Sequence, residues 1–198
     1  MYLLALCSLA VVTIAVERGL YYRQCSANAA GFAARLNEFL DGRQWEQAQQ
    51  YCDQAAGVIG TIAARGFRAF ARGEDIESTL AAASMLEAAQ LRERMKYLSA
   101  IVTMAPLLGL LGTVIGMIHS FSVFNLQAGQ PMAITGGVGE ALIATATGLV
   151  VAVMALIVHV YFSHRLDGII TDIEQICALL TIRLGRAQAR RGEEHETA

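Results

Sequence analysis

Long uncharged runs alternate in this chain with amphipathic stretches of three-to-four period. Residues 1–16 are apolar, no Asp, Glu, Lys or Arg lies between Lys96 and Glu140, and 141–164 is again free of them. Runs of about 20 apolar residues match the hydrocarbon thickness of a bilayer, so three spans are predicted at roughly 1–18, 98–123 and 138–162. Between the first two, Phe32, Leu36, Phe39 and Leu40 recur at helical spacing. Trp45, Ala48 and Cys52 follow, then Ile59, Ile62, Ala63 and Phe67. Gly42 and Gly73 are the expected breaks, with Asp41 or Asp75 beside them for turns or caps. From Ile76 to Lys96 there is no Gly or Pro, so one helix on the order of 70 Å long is expected from there through the second span. The third span runs on into a tail with Ile169, Ile173, Ile176, Leu180 and Leu184 in a stripe. Such stripes need partners, which points to a bundle and to several copies assembling together. The expected fold is all-α: an integral membrane protein with three transmembrane helices, the last two extending as long helices into a cytoplasmic helical bundle.

Charge sets the orientation. The segment 17–97 holds ten Lys or Arg, Arg165 follows the last span directly, and the connection 124–137 has none. Basic loops stay inside, which places 19–97 as a cytoplasmic helical domain, 163–198 as a cytoplasmic helical tail and 124–137 as an outer, periplasmic loop. The N-terminus then lies outside. Residues 1–16 lack a basic leading region and a small-residue cleavage site, so they read as a first membrane helix and not as a cleaved signal. Composition agrees: of 198 residues, 55% are hydrophobic and 16% charged, with a mean hydropathy of +0.46.

On a helical wheel both later spans divide into a small, polar side and a bulky one. In the second span Gly109, Gly112, Thr113, Gly116, His119 and Ser120 share one side, opposite Leu107, Leu110, Leu111, Val114, Ile115 and Ile118. In the third, Glu140, Ala141, Ala144, Thr145, Thr147, Gly148, Ala152 and Ala155 share a broad face that also holds Val151. Leu142, Ile143, Leu149, Val150, Val153, Leu156 and Ile157 oppose it. Small residues let helices approach closely in lipid, and packing alone accounts for such stripes. Glu140 is different. A carboxyl at the mouth of a membrane helix is costly and marks an ion or water path. Hydroxyls at Thr113, Thr145 and Thr147 can donate and accept along that path, or simply bond back to their own backbone. Pro106 removes a backbone donor within the second span and predicts a bend, either tolerated in packing or used as a hinge.

Other chemistries find little support. Cys7, Cys25, Cys52 and Cys177 have no metal-ligand spacing, and thiols on the cytoplasmic side stay reduced. His119, His159 and His164 form no ligand pair, and there is no nucleotide loop or nucleophile with a base. No enzyme, metal or cofactor is expected. A net charge of −2 argues against a nucleic-acid partner.

The residues APLLGLLGTVIGMIHSF (105–121) and GVGEALIATATGLVVAVMALIVHVYF (137–162) resemble the two signature helices of the MotA/TolQ/ExbB proton-channel family, most closely its ExbB-like branch. Glu17-Arg18 is similar to an acidic-basic pair of that family. The resemblance implies a homo-oligomeric ring, a pentamer, around the single spans of two copies of an ExbD-like or TolR-like partner whose transmembrane aspartate exchanges protons. It implies that Glu140 matches the family's glutamate opening the last span, Thr145 its pore-lining threonine and Thr113 the threonine of its GTV motif. A TonB-like protein would receive the work, and membrane lipid would face the bulky sides. The chain enters its first span without the longer outer segment of some ExbB proteins, which bears on TonB contacts and not on the pore.

The leading expectation is a proton-channel subunit of an inner-membrane motor that energises outer-membrane transport. A TolQ-like role in envelope maintenance is the near alternative. A flagellar-type stator ranks lower, since ten basic residues balance ten acidic ones in 17–97 without an evident cluster. A structural membrane scaffold, of a different class, leaves Glu140 without a purpose.

Overall fold

The computed structural model describes residues 2–25, 29–55, 57–126 and 131–196. Among them it forms six helices and no strand: α1 (Tyr2–Cys25), α2 (Ala29–Asp41), α3 (Trp45–Gln54), α4 (Val58–Arg72), α5 (Ile76–Leu126) and α6 (Pro131–Glu196). Three helices, α1, α5 and α6, are long and apolar enough to cross a membrane. The protein is an all-α, multi-pass membrane protein whose last two helices run far beyond a bilayer's needs, at 51 and 66 residues.

The chain divides into two compact units. Residues 1–19 and 93–163 form the first, and 20–92 with 164–198 the second.

In the first unit, Leu4 of α1, Ala105 of α5 and Val151 and Ala152 of α6 form a buried cluster, with Cys7, Ile101 and Leu108 packed against it. Its outer faces are apolar and uncovered: Leu107, Leu110, Ile115, Ile118, Leu142, Leu149, Val150 and Ile157 are all more than half exposed. Such a surface suits acyl chains, not water. About two turns before the end of α1, Glu17 pairs with Arg94, and Arg18 is only 6% exposed.

The second unit is a helical bundle with its own core. Leu36, Ala48, Ile62, Ala63, Phe67, Leu80 and Leu91 are buried together with the whole α6 stripe of Ile169, Ile173, Ile176, Leu180 and Leu184. Chain-internal packing therefore covers the stripe, and it supplies no reason of its own for association between copies. Tyr22 Oη donates to the Leu91 carbonyl at 3.1 Å.

Helix ends follow local chemistry. Gly73 adopts φ +71° after α4, and the amides of Gly73 and Glu74 reach back to the carbonyls of Phe70 and Ala69. This is the left-handed stop that glycine makes without steric cost. Asp75 Oδ1 accepts the Glu77 amide at 3.2 Å and so caps the start of α5. α2 ends at Asp41, before Gly42. One break has no counterpart in the pattern: Gly57, at φ +103°, separates α3 from α4. The expected loop at 124–137 is mostly helix. α5 continues to Leu126 and α6 opens at Pro131, so only 127–130 lie outside the described residues. Proline fits a first helical turn, where its missing N–H has no bond to make.

Candidate functional site

The two glycine-bearing sides meet as a seam between α5 and α6. A Cβ added to Gly109 would lie 3.2 Å from the Thr145 Cα and 3.3 Å from the Gly148 Cα. One on Gly112 would meet the Ala144 Cβ at 2.8 Å, and one on Gly116 the Ala141 Cβ at 2.8 Å. From the other helix, a Cβ on Gly148 would reach the Ala105 carbonyl oxygen at 2.7 Å and the Gly109 Cα at 2.9 Å. Glycine is required here for approach, because the obstacles are backbone atoms and a fixed methyl. Pro106 follows Ala105 at the same crossing and lies within an unbroken α5.

The polar residues part company around this seam. Thr145 Oγ1 donates across it to the Gly109 carbonyl at 3.1 Å, a direct helix-to-helix bond. Thr113 Oγ1 donates to Leu110 of its own helix at 2.6 Å, and Thr147 Oγ1 to Ile143 at 2.8 Å. Ser120, buried at 2% exposure, bonds back to Gly116 and lies beside Gly137. Glu140 is exposed and, among the described residues, makes no hydrogen bond or ion pair. None of the three threonine hydroxyls bonds to it. The broad face of the wheel is thus two surfaces. Ala141, Ala144, Thr145 and Gly148 look into α5, while Glu140 and Thr147, about 20° apart on the wheel after seven residues, flank the seam.

Sequence reasoning passed over two features. Arg18 is nearly buried at the end of the first span, although basic residues there ordinarily reach for water. The Glu17–Arg94 pair ties α1 to α5 from positions far apart in the chain. The resemblance marked Glu17-Arg18 as an acidic-basic pair, but neither the burial of Arg18 nor the Arg94 partner could be read from it.

These observations define a multi-pass helical membrane protein with an acidic residue left open beside a tight interhelical seam. Residues 54–175 match the MotA/TolQ/ExbB proton channel family, and the chain belongs to it. It is similar to an ExbB homolog of Methanothermobacter thermautotrophicus, 28% identical over 88% of the chain and 63% of that protein. The biopolymer transport protein ExbB of Xanthomonas campestris pv. campestris is 31% identical over 68% of the chain and 51% of its own length. That of Neisseria gonorrhoeae is 36% identical over 48% of the chain and 46% of its own length. The chain spans less than two thirds of each of these relatives.

Proposed function

We propose that the protein is the proton-channel subunit of an inner-membrane motor of the ExbB–ExbD type. In this reading it assembles as a ring, a pentamer, around two single-span partners, each with a transmembrane aspartate. The N-terminus is periplasmic and the C-terminus cytoplasmic. The membrane potential supplies about 2.3 kcal/mol per charge per 100 mV. Passage of several protons then drives a mechanical step in a TonB-type protein that serves outer-membrane transport.

The observation that carries the reading is the open position of Glu140. The seam closes over Gly109, Thr145 and Gly148 but leaves the carboxylate without a hydrogen-bond or ion-pair partner among the described residues. A carboxyl in an apolar span needs a counterpart in a wet or polar place. A second copy, or a partner's span, meets that need. Thr147 and Thr113 would line the same route from the edges of the seam, and Thr145 would hold the two walls together. Pro106, whose ring removes one bond of α5 beside the crossing, would let that wall flex.

Proteoliposomes containing the chain and its single-span partner test the reading by proton uptake under an imposed potential. Glu140→Gln is expected to abolish flux while the ring still forms on native gels. Wild-type flux in Glu140→Gln would remove Glu140 from the pathway, and no flux with the wild-type chain would leave the scaffold reading in place.

A further inference from the structure

The bundle unit carries a cleft of about 390 Å³, within the size range of small-molecule sites, that proton conduction does not use. Asp41, Arg43, Arg183, Arg186 and Arg190 line it, with Trp45 on its aromatic side. Four guanidinium groups thus face one carboxylate. That carboxylate is already engaged, as Arg183 Nη2 lies 2.9 Å from Asp41 Oδ1. Among the described residues Arg43, Arg186 and Arg190 form no ion pair. Three like charges gathered at one cleft repel one another and favour binding of an added anion, although the chain's net charge is −2.

The backbone positions of the cluster are fixed by local structure. Arg183, Arg186 and Arg190 fall at three-to-four spacing on one side of α6, while Leu180 and Leu184 anchor the adjacent side in the core. Arg43 has φ +54°, in a turn tied by the Gly42 amide to Glu38 and the Gln44 amide to Phe39. No other non-glycine among the described residues has a positive φ. Trp45 and Phe70 make an aromatic wall, with ring centroids 5.5 Å apart and planes inclined at 38°.

Guanidinium forks match phosphate oxygens in pairs, and indole faces take flat or apolar groups. We propose that this cleft binds an anionic organic phosphate, its phosphate on Arg43, Arg186 and Arg190 and its organic part against Trp45. Such a phosphate is either soluble, as in a nucleotide, or the headgroup of an anionic lipid.

Trp45 is the chain's one tryptophan, so its fluorescence reports the cleft directly. The full chain in phosphatidylcholine nanodiscs is titrated with ADP and, separately, with adenosine. A parallel preparation replaces part of the lipid with phosphatidylglycerol. A saturable change in Trp45 emission with ADP and none with adenosine supports a soluble phosphate. A change on adding phosphatidylglycerol alone supports the lipid source. In either case the Arg186→Ala/Arg190→Ala double variant weakens the response by about tenfold or more. Arg186→Gln/Arg190→Gln serves the same purpose if the alanine variant loses helicity. The proposal is overturned if neither arm gives a saturable change, if adenosine acts as strongly as ADP, or if the double variant responds like the wild type.

Discussion

Glu140 and Thr145 sit little more than one helical turn apart on α6 yet meet different surroundings. Thr145 is built into the seam by its bond to Gly109, and Glu140 has no hydrogen bond or ion pair among the described residues. Stability and conduction should therefore separate. Thr145→Val removes the bond and is expected to cost about 0.6 kcal/mol, the average for such bonds between membrane helices. Thr145→Ser keeps the donor and should be neutral. Reversible unfolding in mixed micelles reads both, and equal stability of the valine and serine variants would show that the bond contributes nothing. A second residue-scale expectation concerns Cys52, whose thiol is pushed up to about 12, first by burial and then by the neighbouring Asp53 charge. The unfolded thiol, with its ordinary value of 9.0, ionises before the folded one. The linked stability is present below that value and is lost as pH rises from there toward about 12. Wild type and Cys52→Ala should thus keep a constant stability difference up to pH ~9 and converge above it. Iodoacetamide should label Cys52 at pH ~8.5 only after denaturation.

At the scale of elements, the seam makes its own demand. Gly148→Ala brings a methyl within 2.7 Å of the Ala105 carbonyl oxygen and 2.9 Å of the Gly109 Cα, so α5 and α6 must move apart along the whole crossing. Gly66→Ala meets only the end of the Leu80 side chain at 2.9 Å, which can turn aside. The first substitution is expected to destabilise by roughly 1–3 kcal/mol and the second by less than about 1. Thermal unfolding of the two variants compares them directly, and equal shifts would show that the seam is looser than described. The contrast also explains what could be read from the chain. The wheel marked Gly109, Gly112, Gly116 and Gly148 because residues facing another helix must all be small, a local rule visible in one dimension. Gly42 and Gly73 were legible as stops because polar or acidic residues flank them. Gly57 was not, because it sits among Ala55, Ala56 and Val58, a run that helices tolerate. The wheel placed Glu140 and Thr145 together because it assigns a residue to a half-circle, whereas a neighbouring helix covers a narrower arc. The arginine cleft was hidden for a different reason. Arg43 and Arg186 balance acids along the chain and become neighbours only when α6 closes over α2 and α3.

At the scale of the molecule, two cores are threaded by the same long helices. Each has its own buried set: Leu4, Ala105, Val151 and Ala152 in one, and Leu36, Phe67, Leu80, Ile173 and Leu180 in the other. A helix of α6's length does not by itself transmit packing defects, because each helical bond spans only four residues. The cost of a core defect should then stay within its unit. Ile173 is 2% exposed, and Ile173→Asp would bury a carboxylate with no partner provided for it. That penalty, several kcal/mol, is comparable to the stability of a small domain. Hydrogen exchange followed by mass spectrometry should show amides of 29–92 and 164–190 losing protection, while those of 98–122 and 138–162 keep it. The apolar outer faces of the first unit remain in lipid whatever the bundle does, and lipid leaves backbone bonds no competitor. Loss of protection across both units would mean that they fold as one cooperative body. In that case, no substitution in the bundle core could be read as local.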